Sequence, residues 1–448
     1  MTVNTFNANT MNKESLKKII VAQKQLFLEK KDLFPRDILA DFYDKYRKIK
    51  EIFLITGIRR CGKSSLLRLI WDDYKSRETL DDNQFLYINF EDERLGDFAK
   101  DDFETMLEAY RELNPQSKDK EIFLFFDEIQ NIHYWEKFLN RLRETEKYKI
   151  YVTGSNATLL SSEMGTALTG RNIPVALYPL SFHEYLVHFK QHPLNKESLY
   201  SHEREMEINN ILKEYLCFGG MPKYIIEKSP ELIQGYFQDI ISRDIINRYN
   251  IKYRQKINEL GRLLLANIGQ KQSLRRIGNA LELKNPGTIK NYLRYMEKSF
   301  LFFRVPLFSY SFREQIANPA KYYAMDIAFY NNITVKAGRN SGWIYENIVL
   351  AELKRDRQNE VFYCKTKKNL EVDFAVKNLG KVRLYQVCQS LADPNTEERE
   401  VKALLAAMDE LKIKNGAIIN QEIDKTKNIN GKEIKYITLA KWLLQKYI

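Results

Sequence analysis

From Glu51 onward the chain alternates short apolar runs with helical patterns: EIFLIT, QFLYINF, EIFLFF, KIYVT and IPVAL, each rich in Ile, Val, Phe and Tyr. Runs with no period-two alternation are the mark of strands buried on both faces, and the helical spacers supply crossovers. The stretch therefore predicts a parallel sheet in an α/β arrangement. Ahead of it, LKKIIVAQKQLFLEKK and RDILADFYDKYRK read as a helical lead-in with no legible role. After Pro179 the pattern turns helical. Ser181 and Glu184 in SFHEYL have capping-box spacing, and Gly219, Gly220 and Pro222 in CFGGMPKYI mark a tight turn between helices. Residues 251–310 form a compact helical unit. From Ser311 mixed α/β texture returns, with helices through WIYENIVLAELKRD and TEEREVKALLAAMDEL and strands VFYCKT, EVDFAVK, VRLYQVCQS, GAIIN and IKYITL. The predicted division is 1–49, 50–180, 181–250, 251–310 and 311–448.

Composition narrows the class. With 448 residues, 44% hydrophobic and 29% charged, the chain is a folded multidomain protein, neither disordered nor a mini-protein. No apolar run approaches the ~18 residues of a membrane helix, and the opening MTVNTFNANTMNKESLKK lacks the apolar centre of a signal peptide, so a cytoplasmic protein without membrane partners is expected. Cys61, Cys217, Cys364 and Cys388 are scattered, which predicts neither a zinc site nor a disulfide framework.

The net charge of +12 points to a polyanionic partner, and six Lys and six Arg against three Glu place +9 of it within residues 251–310. There SLRRIGNALEL, the break KNPG and TIKNYLRYMEKS make a helix, a turn and a second helix, with FLFFRVPLF as a wing strand. A helix-turn-helix puts the start of its second helix in the major groove, which makes Thr288, Lys290, Asn291 and Arg294 candidates for DNA contact. Ile289, Leu293 and Met296 would hold the opposite, apolar face. A merely solvated basic face, or a protein-protein module, is the competing reading.

The strongest local signal is GIRRCGKSS, residues 57–65, after a strand and before a helix. It satisfies G-x-x-x-x-G-K-[ST] in the strand-loop-helix context that phosphate binding requires. Gly57 and Gly62 permit the tight backbone path, Lys63 reaches the terminal phosphates, and Ser64 offers its hydroxyl to Mg2+, with Ser65 beside it. Arg59 and Arg60 lie inside the loop, where side chains more often point outward, and Cys61 is a small residue that fits. IFLFFDEIQ supplies the second half of such a site: Asp127 for the Mg2+ shell and Glu128 to polarise an attacking water. KIYVTGSNA ends in Ser155 and Asn156, which could bond a phosphate or water, or simply form a polar strand-end turn. Arg171 in LTGRNIPV is open to two readings, an arginine finger acting in cis or in trans, or a surface residue.

Taken together, GIRRCGKSS, FFDEIQ, VTGSNATLL, LTGRNIPVALYPLSFHEYL and CFGGMPKY resemble the bacterial and archaeal AAA-type ATPases that carry a C-terminal winged-helix and restriction-endonuclease-like extension. The resemblance spans nearly the whole chain from Lys50. It implies α/β architecture: a P-loop NTPase (AAA/ASCE) core whose parallel sheet has an extra strand between the P-loop and Walker B strands, an α-helical lid, a winged helix-turn-helix, and a C-terminal restriction-endonuclease-like α/β domain. It also implies ATP as nucleotide, sensor duty for Asn156, and nucleotide sensing by Arg171.

For the tail, the resemblance implies a metal site from a helix Glu, a strand Asp and a (D/E)-x-K on the next strand. Here these fall on Glu346, Asp373, with Glu371 on the same strand face, and Gln386. Cys388 stands where the Lys belongs, so loss of nuclease chemistry is expected. The functional expectation is an ATP-binding and ATP-hydrolysing protein, with ATP and Mg2+ as cofactors, that couples nucleotide state to DNA or a protein partner, in a chain able to form a homo-oligomer. A nucleotide-gated module with negligible turnover and an ATP-regulated metal-dependent nuclease are the alternatives.

Overall fold

The computed structural model describes residues 11–30, 33–156, 170–195, 201–334 and 342–447. The first ten residues of the lead-in lie outside the described residues, as do those parts of VTGSNATLL and LTGRNIPV that fall between 157 and 169. Contacts divide the chain into two units, Met1–Gly57 with Gly62–Leu177, and Ile58–Cys61 with Tyr178–Ile448.

The first unit is built on five parallel strands: β1 (Ile52–Thr56), β2 (Phe85–Asn89), β3 (Ile122–Asp127), β4 (Tyr148–Gly154) and β5 (Asn172–Ala176). Their order is β2-β3-β4-β1-β5, so β4 lies between the P-loop strand β1 and the carboxylate strand β3. All residues of β1 and β3 are buried, as their unbroken apolar runs require. The two faces differ in chemistry. One carries Leu54, Leu86, Leu124 and Val152 against the helices Lys13–Leu28, Asp102–Leu113 and Trp135–Glu144. The other is aromatic: Tyr151 stacks between Phe53 and Phe125 at 5.0 and 5.3 Å, and Trp71 of the helix Lys63–Arg77 packs on Phe85 and Phe123.

The lead-in is part of this unit. Its helix begins at an Asn12 cap, and Gln23 covers the edge strand β2 by accepting from the Asn89 N–H at 2.7 Å and donating to the Asn89 carbonyl.

In the second unit the capping box forms as its spacing predicts. Glu184 N–H donates to Ser181 Oγ at 3.0 Å, and Ser181 N–H donates to Glu184 Oε2 at 2.8 Å. The Gly219–Gly220 turn has a specific cause: Asp326 accepts from the Gly220 N–H at 2.8 Å, and a Cβ on Gly219 would stand 2.0 Å from its carboxylate. Helix Leu274–Leu281 ends before KNPG, whose Asn285 caps the helix Pro286–Lys298, and β6 (Lys271–Gln272), β7 (Phe302–Val305) and β8 (Ala320–Ala324) form an antiparallel sheet in the order β6-β8-β7. The third strand of this sheet thus comes from beyond residue 310. A six-stranded mixed sheet follows, from β9 (Glu360–Lys365), β10 (Glu371–Asn378), β11 (Lys381–Val387), β12 (Asn415–Asn420), β13 (Lys425–Ile429) and β14 (Lys432–Thr438), ordered β13-β14-β12-β11-β10-β9. The helix Pro394–Leu411 makes the crossover between the parallel strands β11 and β12. Among the described residues no helix is long and apolar enough to cross a membrane.

Lys149, buried near the start of β4, yields a stability prediction. Its ammonium donates to the carbonyls of Tyr46, at 2.7 Å, Arg47 and Ile49, and burial pushes its pKa down to about 8 from 10.5. Between those values the unfolded chain binds the extra proton, so stability rises with pH across that window. Lys149→Met should cost about 1–3 kcal/mol at pH 7 by orphaning buried carbonyls. It should also abolish a rise of up to about 1.4 kcal/mol per pH unit above pH 8. Urea midpoints of both proteins from pH 7 to 10 measure the two effects.

Candidate functional site

Parallel strands present their C-terminal ends on one edge of the sheet, and the predicted nucleotide residues gather there. Gly57 follows β1, Asp127 ends β3, and Ser155 and Asn156 follow β4, both fully buried. Gly62 sits at φ 100°, a conformation that glycine adopts without strain, and it opens the helix Lys63–Arg77 without offering a side chain to the helix's first N–H groups. Ser64 and Ser65 stand half-buried on its first turn. Lys63 is folded back into the site. Its Nζ donates to the Gly57 carbonyl at 3.3 Å and lies 3.5 Å from Glu128 Oε1. Ile58–Cys61, at the tip of the loop, belong by their contacts to the second unit. There Arg59 is committed to Asp244, bonding its two carboxylate oxygens at 3.1 and 3.2 Å, while Arg60 is exposed at φ 69° and Cys61 is buried.

Glu128 leaves β3 in the left-handed region, φ 52°. For a non-glycine residue this costs of order 1 kcal/mol, and it turns the chain out of the strand directly after Asp127. Neighbours hold the turn in place. Thr153 Oγ1 donates to Asp127 Oδ1 and accepts from the Glu128 N–H at 3.0 Å, and Tyr87 Oη donates to Asp127 Oδ2 at 3.0 Å. Burial, then the Asp127 charge, hold the Tyr87 phenol far above its usual range, so it remains a donor. Lys30 of the lead-in donates to the Ser64 carbonyl at 3.1 Å, and burial lowers its pKa against the opposing pull of Asp127. No local pattern in the sequence points to Thr153, Tyr87 or Lys30. Thr153 sits one residue before GSN, and only the strand order puts it beside Asp127.

Arg171 is not brought to this edge. It precedes β5, where its carbonyl accepts from the Ile52 N–H at the start of β1, and its guanidinium bonds Asn140 at 3.0 Å, with Glu144 at 3.8 Å. The length of β1, roughly 13 Å, separates it from the P-loop end. The reading of Arg171 as a nucleotide-sensing arginine in cis is corrected accordingly: β5 runs parallel to β1, so a residue ahead of it lies at the opposite edge.

In the second unit, Ile289, Leu293 and Met296 are buried, while Lys290, Asn291 and Arg294 are exposed on the same helix. These three line a cavity of about 500 Å3 together with Gln272, Arg304 and Asn318. Thr288 is half-buried one turn earlier.

The predicted tail residues also meet. Glu346 from the helix Gly342–Arg355, Asp373 on β10 and Gln386 on β11 line a cavity of about 330 Å3 with Glu400 and Arg399. A register shift between Val372 and Ala375 marks a bulge that contains Asp373. Burial, then Glu346, raise the Asp373 pKa well above the carboxylate range, and burial raises that of Glu346. Burial, then Glu400, push the Cys388 thiol up to about 12, so it stays protonated and supplies no base.

Thr153→Val would leave the Asp127 carboxylate and the Glu128 N–H each short of a partner, at a cost of about 1–3 kcal/mol. Thr153→Ser, which keeps the hydroxyl, should recover most of the loss. Thermal unfolding of the three proteins at pH 7 makes the comparison.

Residues 49–186 match a family described as an AAA domain, and residues 209–341 match a domain of unknown function, DUF8612. The chain is 33% identical over 414 residues to the uncharacterized protein MJ1544 of Methanocaldococcus jannaschii, covering 89% of this chain and 88% of that protein. It is 31% identical over 404 residues to an uncharacterized protein of Haemophilus influenzae, covering 88% of this chain and 94% of that protein. Among solved structures, the S. cerevisiae Hsp104-ADP complex overlaps with a TM-score of 0.34 and 14% identity, over 63% of this chain and 42% of that chain. The chain belongs to the family of the Methanocaldococcus and Haemophilus proteins and is an AAA-type P-loop protein.

Proposed function

We propose that the protein is a Mg2+-dependent ATPase whose nucleotide state governs binding of a polyanion, DNA first, by the basic unit. The observation that carries the reading is the meeting of Lys63 with Glu128 at 3.5 Å beside Asp127. The phosphate-binding cation and the candidate general base share one buried spot at the end of a parallel sheet. Ser64 and Asp127 are the residues to hold Mg2+, which when bound would neutralise phosphate charge. Lys63, with its ammonium turned to the terminal phosphates, would give up Glu128, whose carboxylate could then take the proton of an attacking water. Asn156, buried between the ends of β1 and β3, suits a sensor of the terminal phosphate.

Glu128→Gln should lower steady-state phosphate release by about 10²-fold or more while ATP affinity is kept. Lys63→Ala should lose affinity as well. Equal phosphate release by wild type and Glu128→Gln, with and without duplex DNA, would instead favour a nucleotide-gated module without turnover. One observation supports that second reading: Glu128 is also held by Gln130 Nε2.

The basic unit reads as a winged helix, with Pro286–Lys298 as recognition helix and β7 and β8 as wing strands. Its exposed Lys290 and Arg294 would neutralise backbone phosphates. Affinity for duplex DNA should fall steeply with salt, and Lys290→Ala/Arg294→Ala should flatten the log-log slope by about 0.9 for each phosphate no longer neutralised. An unchanged affinity and slope in a fluorescence anisotropy titration would remove DNA from the reading. The tail reads as a nuclease-like fold without the catalytic lysine.

A further inference from the structure

The carboxylates that line the acidic pocket of the tail also meet a lysine that its sequence motif does not supply. Lys321, from β8 of the three-stranded sheet, is 3% exposed, and its Nζ lies 2.8 Å from Glu371, 3.8 Å from Glu346 and 3.8 Å from Asp373. Its ammonium is thus surrounded by three carboxylates, with Glu371 the nearest. Lys271 stands directly opposite it on β6 and also pairs with Glu371. Two lysines facing each other across an antiparallel pair repel, and the Glu371 carboxylate that both contact relieves that repulsion.

The residues that would form a divalent-cation site are already engaged. Glu346 accepts from the Tyr323 hydroxyl at 2.7 Å, and Asp373 Oδ2 accepts from the Val387 N–H at 2.9 Å. The Gln386 carbonyl oxygen accepts from the Asp373 N–H at 3.3 Å, and its amide nitrogen donates to Glu400, which Arg399 also contacts at 2.6 Å. Mg2+ demands near-ideal octahedral oxygen ligation and dehydrates reluctantly, so oxygens shared with an ammonium and with N–H donors suit it poorly. Among the described residues no group of three or more His, Cys, Asp or Glu side chains is arranged to hold a metal ion. Room is not the limit, because the cavity of about 330 Å3 borders the same carboxylates.

We propose that Lys321 is the resident cation of the Glu346–Asp373 carboxylate pair. It takes the electrostatic place of a divalent metal and fastens β8 to β10, so that the pocket binds no divalent cation. The proposal is independent of the nucleotide site.

The test uses the nucleotide-free full chain in an Asp127→Asn background, which removes the other carboxylate expected to take a metal, and counts bound Mn2+ by electron paramagnetic resonance. Chains with and without Asp373→Asn should bind the same amount of Mn2+. Lys321→Met should gain one Mn2+ per chain and a Mn2+-dependent rise in thermal midpoint, and both gains should vanish in Lys321→Met/Asp373→Asn. Lys321→Arg, which keeps the charge, should gain nothing. Loss of one bound Mn2+ on Asp373→Asn alone would overturn the proposal. So would a soluble Lys321→Met chain that gains none. Should Lys321→Met not fold, the Asp373→Asn comparison decides by itself.

Discussion

The nucleotide edge depends on the register of three neighbouring strands. Tyr151 pairs with Phe53 on one side and Phe125 on the other, and its ring stacks between theirs. Because side chains alternate faces, a slip of one residue would drive Tyr151 of β4 into the aliphatic layer and carry Thr153 away from Asp127. Aromatic pairs are worth about 0.5–1.5 kcal/mol beyond their buried area. Their larger contribution here is selecting one register among those that backbone hydrogen bonding alone would allow. From that register follow the Thr153 bridge, the sharp turn at Glu128 and the approach of Lys63 to Glu128.

The second unit solves a comparable problem with charge. Its three-stranded sheet contributes Lys271 and Lys321, and its six-stranded sheet contributes Glu371 and Asp373. A buried pair of this kind costs desolvation on both sides and adds little net stability over an apolar contact, but breaking it leaves an uncompensated buried charge. Its effect is therefore to specify how β8 meets β10. Glu346, Glu371 and Asp373 thereby have an architectural use in this unit.

What the sequence disclosed, and what it withheld, follows from the range of the signals. The P-loop, the Asp127–Glu128 pair and the capping box at Ser181 are local patterns whose residues lie within nine positions of one another, and spacing alone makes them legible. The buried face of Ile289, Leu293 and Met296 is legible for the same reason. Thr153 and Tyr87 act across strands, so their partners emerge only once the order β2-β3-β4-β1-β5 is known. Arg171 shows the opposite failure. Its motif sits among functional ones along the chain, yet the parallel pairing of β5 with β1 sends it to the far edge. Lys321 stands 25 residues before Glu346 in a strand of a different sheet, and no local spacing links the two.

The charge count changes meaning in the same way. Residues 251–310 carry an excess of nine positive charges, but that figure treats every basic side chain as available to a partner. Lys271 is occupied by Glu371, and Lys256 by Glu259. Arg304 lies in a cavity wall that also holds Glu297, whose pKa burial raises to about 7. Lys290 and Arg294 are exposed one turn apart on one helix. A polyanion would be drawn to the whole unit at long range, where net charge governs approach. Close contact would be decided by that helix face, because charges already paired within the protein have few counterions left to release to an arriving phosphate.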